Sequence, residues 1–309
     1  MATINDIAKK TGYAKSTISR YLNSSGYVSA TAQRIIQQAI DELDYHPNSI
    51  ARSLSNGATN KIGVVVPHVE HAYFLETIRG LMDAAVSAKA EMVLLPSAYD
   101  PKLEKRYLNQ LRDKDFDSLI FTSRQTPLAE IAGYRKYGNI ICMEDASAYG
   151  LSSVYVRREN GFRELFKWLK RKQIRHLALI FSRNTQASPT YRQAMASMLK
   201  VMPTIDYKTF GGVNSYQDAY KAVDELVSGN FDCILADSDD VAAYYLMKLP
   251  LLLERVPLVV SHESQLSGKL LHIPSVNENL YELGQRLFAA AVSNHQVNIE
   301  IPSKFLPRD

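Results

Sequence analysis

Lys15, Ser16, Ser19 and Arg20 place polar and cationic side chains close together near the amino terminus of the chain. Ammonium, guanidinium and hydroxyl groups bind phosphates and the edges of bases, and an arginine such as Arg20 can donate two parallel hydrogen bonds to a guanine. Residues 1–30 carry four lysine or arginine side chains and a single aspartate. This composition indicates a polyanionic partner, although a solvated helix face would carry the same charges.

The segment that holds these side chains has the layout of a helix-turn-helix. A first short helix can begin after Thr3 and a second covers about residues 15–22, with Gly12 at the sharp turn between them. Ser29 can cap a third helix. In such a unit the second helix presents its polar end to the major groove of DNA.

Neither a catalytic nor a metal-binding motif is present in the sequence. It lacks the patterns GxSxG, GxxxxGK[ST], HExxH and GxGxxG. Cys142 and Cys233 stand alone inside apolar runs, and we expect them as buried thiols of a reducing cytoplasm. His68 and His71 have no third ligand nearby in the sequence, so we expect no metal, no cofactor and no enzymatic activity.

From Lys61 onward, short apolar runs alternate with helical segments. Continuously apolar strands between helices indicate an α/β fold with parallel sheets that are covered on both faces. The 309 residues suffice for about two domains, and the strand–helix units form either one closed barrel or two open sheets. The predicted strands are residues 62–66, 92–95, 119–121, 140–143, 154–156, 177–181, 233–235 and 258–260.

The composition is that of a globular protein, with 46% hydrophobic and 22% charged residues. No apolar stretch reaches the roughly 18 residues that a membrane-spanning helix requires. The polar start MATINDIAKK is unlike a secretory signal. We therefore expect a cytoplasmic protein without membrane contact.

The chain resembles the LacI/GalR family of bacterial transcriptional regulators along essentially its whole length. The most specific match is TINDIAKKTGYAKSTISRYLN, followed by VSATAQRIIQQAIDELDYHPNSIARSLSNG and KIGVVVP. Later stretches are most similar to the catabolite-control branch of that family, namely YLNQLRDKDFDSLIFTSR, YGNIICMED, ADSDDVAA and IPSVNENLYELG.

This resemblance implies a helix-turn-helix headpiece, a hinge helix that folds on DNA, and a two-lobed core like a periplasmic binding protein. Two open parallel sheets are then expected instead of one barrel. The implied boundaries are residues 1–46 for the headpiece and 47–60 for the hinge helix and linker. Lobe 1 then takes residues 61–157 and about 295–309, and lobe 2 takes residues 158–294.

The resemblance also implies which residues contact DNA. The residues that read bases in the major groove would be Lys15, Ser16 and Arg20. Those at phosphates would be Ser19, Asn23 and Ser29. The hinge helix would contribute Asn48, Ala51 and Leu54. Leu54 would be an apolar wedge that opens a central base step from the minor groove together with its symmetry mate.

An effector site is implied between the lobes, at the carboxyl ends of strands, where ligands bind open parallel sheets. From lobe 1 the matching residues are Tyr73, Phe74, Thr122, Ser123 and Glu144. From lobe 2 they are Arg192, Asn214, Ser238, Asp239 and Glu263. The family's usual Gly-Phe-Asp-Asp is replaced by Ser261-His262-Glu263-Ser264, and an acidic position by Arg157-Arg158, which we expect to be a surface pair. The sequence therefore leaves open a sugar, an anionic ligand such as a sugar phosphate, or no small molecule.

The implied partners follow from the same resemblance. One headpiece reads only a few base pairs, so we expect a homodimer on a near-palindromic double-stranded DNA operator, repressing carbohydrate or carbon-catabolite genes. In the catabolite-control branch, the phosphocarrier protein HPr phosphorylated on serine can dock on the core, which makes it a candidate corepressor. The expected location is the bacterial cytoplasm, at the nucleoid. A solute-binding protein is the competing interpretation, against which the helical head and the missing signal argue.

Overall fold

The computed structural model describes residues 2–23, 25–46, 58–68, 72–186 and 188–308. The chain forms two compact units, Met1–Thr59 and Asn60–Asp309. Among the described residues, no helix combines the length and the apolarity that a membrane span requires.

The described part of the first unit consists of three helices, α1 (Ile4–Thr11), α2 (Lys15–Asn23) and α3 (Ala30–Glu42). Thr3 and Asp6 form a reciprocal capping box at the start of α1, where the Thr3 backbone N–H donates to Asp6 Oδ2 at 2.9 Å. Gly12 ends α1 with a φ of 74°, a left-handed conformation that a residue with a Cβ adopts only at a cost. The turn that the sequence predicts is therefore present.

A small apolar core joins these helices. Ile7, Ile18 and Ile36 are fully buried, one from each helix, and Val28 and Ala39 pack in the same cluster. Each helix turns its apolar stripe toward the other two, so its polar residues face outward. The predicted helix-turn-helix headpiece is confirmed.

The second unit begins with a parallel six-stranded sheet, which with its covering helices forms lobe 1. The strand order is β11-β5-β4-β3-β1-β2. The strands are β1 (Lys61–Val66), β2 (Glu91–Pro96), β3 (Ser118–Phe121), β4 (Asn139–Cys142), β5 (Ser152–Arg157) and β11 (Asn298–Pro302). The helices are α4 (Ala72–Ala88), α5 (Pro101–Arg112), α6 (Leu128–Ala132) and α12 (Leu280–Ala291).

A second six-stranded sheet forms lobe 2, with the order β12-β10-β9-β8-β6-β7 and β12 as its antiparallel edge. The strands are β6 (His176–Ile180), β7 (Asp206–Phe210), β8 (Cys233–Ala236), β9 (Leu258–Glu263), β10 (Ser275–Asn277) and β12 (Lys304–Leu306). The helices are α7 (Glu159–Arg171), α8 (Pro189–Val201), α9 (Val223–Ser228), α10 (Asp239–Lys248) and α11 (Leu266–Leu270). Two open sheets are thus present, and the barrel alternative is wrong.

The chain divides between the lobes differently from the expected boundaries at residues 158–294 and 295–309. Helix α12 covers the sheet of lobe 1, because Leu283 and Leu287 share a core cluster with Val64 of β1. The final strand β12 pairs with β10 of lobe 2. The continuous part of lobe 2 therefore ends near Asn277, and the last strand of the chain, β12, also belongs to lobe 2. An amphipathic helix packs on whichever sheet it reaches, and sequence order does not reveal which one.

Helices α4 and α12 approach each other through two glycines. A Cβ added at Gly80 would lie 2.1 Å from the carbonyl oxygen of Tyr281, and one added at Gly284 would lie 2.1 Å from that of Thr77. Such a contact leaves no room for a side chain at either position.

Both predicted thiols, Cys142 and Cys233, are buried and free.

Candidate functional site

Helix α2 presents one polar, exposed face. Lys15, Ser16, Arg20 and Asn23 are exposed, whereas Ile18 on the opposite side is buried in the headpiece core. Positions 15, 16, 19, 20 and 23 recur at the spacing of one helix face. The apolar anchor therefore fixes the direction in which the candidate DNA-contacting side chains point.

This face carries positive charge without a compensating carboxylate. Within the described part of the headpiece, Lys10 is paired with Glu42 at 2.6 Å, whereas Lys15 and Arg20 form no ion pair. The stem of Arg20 lies beside Gly26, where an added Cβ would be 3.5 Å from its Cδ. Because the Arg20 side chain is exposed, its guanidinium is accessible to a polyanion.

All three expected phosphate-contacting residues, Ser19, Asn23 and Ser29, also have bonds inside the headpiece. Ser29 caps α3, since its hydroxyl accepts from the backbone N–H of Ala32 at 3.3 Å. Asn23 Nδ2 donates to Ser19 Oγ at 3.3 Å. The expected hinge residues Asn48, Ala51 and Leu54 lie outside the described residues.

A cleft of about 520 Å³ lies between the two lobes of the second unit. Its walls follow the carboxyl ends of strands from both sheets, as expected for ligand sites on open parallel sheets. Seven of the ten expected effector residues line it, namely Tyr73, Phe74, Thr122, Ser123, Glu144, Arg192 and Glu263.

Three expected effector residues do not line this cleft, and each is accounted for elsewhere. The Ser238 hydroxyl caps α10 by accepting from the Val241 N–H at 3.2 Å. Asp239 is fully buried and accepts from the hydroxyls of Ser261 and Ser275. Asn214 is exposed, and its backbone N–H donates to Asp218 at 3.1 Å. Helix capping thus engages the Ser238 side chain, and hydroxyls of neighbouring strands engage that of Asp239.

Arg158 lies at the base of the cleft, so its expected place in a surface pair is wrong. Its Nε donates to Glu278 Oε1 at 2.8 Å, and its Nη2 donates to the Tyr73 hydroxyl at 2.8 Å. Burial raises the pKa of Glu278, but the charge of Arg158 and the bonds from His262 outweigh burial, so this pKa lies below its ordinary value. Arg157 alone is exposed, paired with Glu300 at 3.1 Å.

His262 extends this buried network. Its Nε2 lies 3.0 Å from Asp237 Oδ1 and its Nδ1 lies 3.3 Å from Glu278 Oε1. Burial lowers the pKa of His262, but the bonds to the two carboxylates outweigh burial and raise it to about 10. The imidazole is therefore protonated at neutral pH, and the network alternates in charge from Asp237 to Arg158.

Glu263 ends β9 inside the cleft, where its backbone has a φ of 95°. Burial raises the pKa of its carboxyl well above the ordinary value, although the nearby charge of His262 opposes the shift. A neutral carboxyl can both donate and accept hydrogen bonds. Left-handed backbone at a residue with a side chain is typical of functional sites.

Three further arginines line the cleft, one on lobe 1 and two on lobe 2. On lobe 1, Arg124 Nε lies 2.7 Å from Glu144 Oε1, and its Nη2 lies 3.0 Å from Glu144 Oε2. On lobe 2, Arg183 donates to Ser123 Oγ at 3.4 Å. Arg192 donates to the carbonyl oxygen of Gln186. Glu144 is thus already engaged, whereas the two lobe-2 arginines have no carboxylate partner in the described part of the chain.

Sequence reasoning missed several cleft residues that the structure adds. These are Tyr99, Arg124, Arg158, Arg183, Asp237 and His262. Most of them come at or shortly after the carboxyl end of an apolar strand, for example Asp237 directly after β8. Their position at the carboxyl ends of predicted strands could have identified them from the sequence, because the parallel strands of one sheet all end at the same edge.

Comparison with known proteins matches both units to one family. The model "Bacterial regulatory proteins, lacI family" matches residues 3–48, and "Periplasmic binding proteins and sugar binding domain of LacI family" matches residues 59–251. Catabolite control protein B of Bacillus subtilis (strain 168) is 31% identical over 308 residues, covering 99% of each chain. The resemblance to the catabolite-control branch is confirmed.

Two solved structures share the fold. The lac repressor dimer bound to operator and the anti-inducer ONPF is 17% identical, with a TM-score of 0.77 over 99% of this chain and 97% of that chain. The regulator CCPA from Weissella paramesenteroides, solved with bound sucrose, is 17% identical, with a TM-score of 0.66 over 80% of this chain and 96% of that chain.

Proposed function

Since the chain belongs to the LacI family of bacterial regulatory proteins, we propose that it represses genes of carbon catabolism by binding a near-palindromic operator as a homodimer. The exposed, uncompensated cationic face of α2 carries this proposal. Lys15, Ser16 and Arg20 read base edges in the major groove, while Ser19, Asn23 and Ser29 contact phosphates. Asn48, Ala51 and Leu54 act from the hinge helix.

A homodimer is supported by exposed apolar side chains on both lobes. On α4, Val86 is 76% exposed and Met82 is 51% exposed. On lobe 2, Leu251 is 77% exposed and Leu270 is 70% exposed. We propose these exposed apolar side chains as the interface, since a second copy of the chain would bury the same side chains on both partners. Two headpieces then read the two halves of a palindrome.

The interlobe cleft is the proposed control site. A ligand that binds there contacts both lobes and therefore favours one arrangement of the lobes over another. DNA affinity changes when the two arrangements differ in affinity for the operator, and by reciprocity DNA then changes ligand affinity by the same factor. A sugar or a sugar phosphate fits this role, because the cleft combines aromatic, carboxyl and guanidinium side chains.

A protein corepressor is a separate proposal that rests on the family relationship alone. Serine-phosphorylated HPr is its candidate, because a relative that matches over 99% of each chain is named a catabolite control protein. A pull-down that retains no phosphorylated HPr, beside a working positive control, contradicts it.

We place the regulator in the bacterial cytoplasm, at the nucleoid, because its operator lies there.

Selection from a random duplex pool tests the DNA-binding proposal. Purified protein is incubated with the pool at low and moderate salt, and the bound sequences are read. We expect a palindrome with a flexible pyrimidine–purine step at its centre. Affinity should fall steeply with salt, because phosphate contacts release counterions. Folded protein that enriches no sequence and retains no duplex at either salt contradicts the proposal and favours a solute-binding protein.

A further inference from the structure

Three short segments carry the chain between the two lobes, and side-chain bonds tie them to one another. The segments are residue 158 between β5 and α7, residues 278–279 between β10 and α12, and residue 303 between β11 and β12. The Ser303 hydroxyl donates to the carbonyl oxygen of Arg157 at 2.8 Å. Asn279 Nδ2 donates to the carbonyl oxygen of Pro302 at 3.0 Å. A rotation of one lobe against the other has to bend these segments, so the bonds between them resist it.

A chain of buried side chains also runs from one lobe to the other at the base of the cleft. This hinge network consists of Tyr73 of lobe 1, Arg158 and Glu278 of the connecting segments, and His262 and Asp237 of lobe 2. Its successive contacts measure 2.8 Å, 2.8 Å, 3.3 Å and 3.0 Å in that order. Its four charged members are all buried. The two lobes are therefore joined through protein side chains.

Arg158 has partners on both lobes at once. Its Nη2 donates to the Tyr73 hydroxyl of lobe 1 at 2.8 Å, and its backbone N–H donates to Gln193 Oε1 on α8 of lobe 2 at 3.0 Å. Because both partners are fixed on packed helices, one arrangement of the lobes satisfies both bonds. Buried polar and ionic contacts can select one arrangement of packed elements even where they add little net stability.

The lobes meet a second time across the cleft through Arg183. This residue follows β6 of lobe 2, yet its Nη2 donates to Ser123 Oγ of lobe 1 at 3.4 Å. Its guanidinium carbon also lies 4.6 Å from the centre of the Tyr99 ring of lobe 1. Two separate contacts, one at Arg158 and one at Arg183, thus join the lobes across the same cleft.

We propose that the hinge network and Arg183 form a lock that holds the two lobes in this arrangement through protein side chains alone, and that an effector regulates the protein by releasing the lock. This inference rests on the proposed control site and specifies how that site is regulated. DNA affinity without effector is then the affinity of the locked arrangement. Arg158 and His262 both lie in stretches where the sequence departs from the usual family pattern, so the lock is a feature of this chain.

A distance measurement between the lobes of the full-length protein tests the lock. Spin labels are attached at Lys102→Cys on α5 of lobe 1 and at Arg171→Cys on α7 of lobe 2, two exposed positions. Cys142 and Cys233 are buried, so they stay unlabelled. Labelled chains are mixed with an excess of unlabelled chains, so that each measured pair lies within one chain. In dialysed wild type we expect one narrow distance distribution, with any second arrangement below about 10%.

The variant Tyr73→Phe with Arg183→Gln removes both contacts between the lobes. It leaves the buried ion pair between Arg158 and Glu278 intact, so the fold should persist. Loss of two hydrogen bonds should raise the population of the second arrangement about 10-fold. Tyr73→Phe alone removes a single hydroxyl and should give an intermediate population.

Tyr107→Phe with Arg112→Gln is the matched control, because the same two chemical changes then fall within lobe 1. The Tyr107 hydroxyl donates to the carbonyl oxygen of Pro96 at 2.6 Å, and Arg112 is paired with Asp113 at 2.8 Å. Neither contact reaches lobe 2. The distance distribution of this control should match that of the wild type.

Three outcomes overturn the proposal: wild type that already populates two arrangements substantially, a lock variant whose distribution equals that of the wild type, or a control that changes as much as the lock variant. Binding of random duplex DNA by the same preparations is measured in parallel. Retained DNA binding together with any of these outcomes refutes this inference alone. Loss of salt-sensitive DNA binding in the wild type refutes the proposed function itself.

Discussion

Arg158 and Glu278 form a two-pronged ion pair inside the core, with Nε to Oε1 and Nη2 to Oε2 both at 2.8 Å. The side chains are 7% and 0% exposed. Arg158 is the first residue after β5 and Glu278 is the first residue after β10. The pair therefore joins two of the segments through which the chain passes between the lobes, directly beneath the cleft.

Breaking this pair should destabilise the core strongly. Glu278→Gln leaves the Arg158 guanidinium buried without an opposite charge, and such losses cost about 3–5 kcal/mol. The neighbouring pair Arg157–Glu300 provides a matched control, since its side chains are 56% and 44% exposed. Glu300→Gln should cost less than about 1 kcal/mol. Urea unfolding measures both free energies, and equal effects would contradict the structural role of the buried pair.

The stability of the core should fall as the pH rises above neutrality. The folded pKa of His262 is about 10, above its ordinary value, so the folded state holds a proton that the unfolded chain releases. This stabilisation is complete below the ordinary histidine pKa of about 6.5 and is lost toward pH 10, with a slope of up to about 1.4 kcal/mol per pH unit. The groups that face this ring are Asp237, Glu278 and Glu263.

The raised pKa of Glu263 acts with the same sign, because its folded state also retains a proton longer than the unfolded chain does. His262→Gln separates the histidine contribution. Urea unfolding at pH 7 and pH 9 should show a smaller loss of stability in His262→Gln than in the wild type. An identical loss in both proteins would show that His262 does not bind the proton concerned.

The overall fold could be predicted from hydrophobic patterning because most strands are buried on both faces. Every residue of β3 and β8 is buried, and such continuous apolar runs are conspicuous in a sequence. The edge strands β7 and β11 escaped prediction because they are largely polar, as in the exposed start of β7 at Asp206 and Tyr207. An edge strand needs only one neighbour and one covered face, so its sequence carries a weaker signal.

The site was only partly predictable, because burial of charge depends on contacts between distant segments. The family resemblance implied that Tyr73 and Thr122 belong to the effector site, and both line the cleft. Nothing local to Arg158 indicates that Glu278, 120 residues away along the chain, meets it in the interior. Asp239 fits a ligand position in the sequence, yet the hydroxyls of neighbouring strands engage it. Tertiary packing decides whether such a polar residue faces the cleft or is buried in the structure.

Arg20→Ala should abolish preference for the operator while leaving weaker, salt-sensitive binding to random duplex. A bidentate base contact is worth about 1–3 kcal/mol of discrimination, whereas phosphate contacts supply non-specific affinity. Arg34→Ala on α3 removes the same charge from an exposed residue outside α2 and should preserve the preference. Fluorescence anisotropy on both duplexes measures the ratio. Equal loss of affinity on both DNAs in Arg20→Ala would refute a base-reading role.

Val86→Glu and Leu270→Glu should each dissociate the proposed homodimer. Val86 and Leu270 are both exposed in the single chain, so a glutamate at either position leaves the fold intact. At an interface between two copies, the same carboxylate would be buried without a partner. Leu199→Glu on α8 is the control, because Leu199 is 43% exposed and is not one of the side chains proposed for the interface. Light scattering coupled to size exclusion should give monomers for the first two variants and dimers for the control. Because a monomer places only one headpiece on the palindrome, operator affinity should fall as the fraction of dimer falls. If Val86→Glu and Leu270→Glu both stay dimeric, the copies associate through another surface.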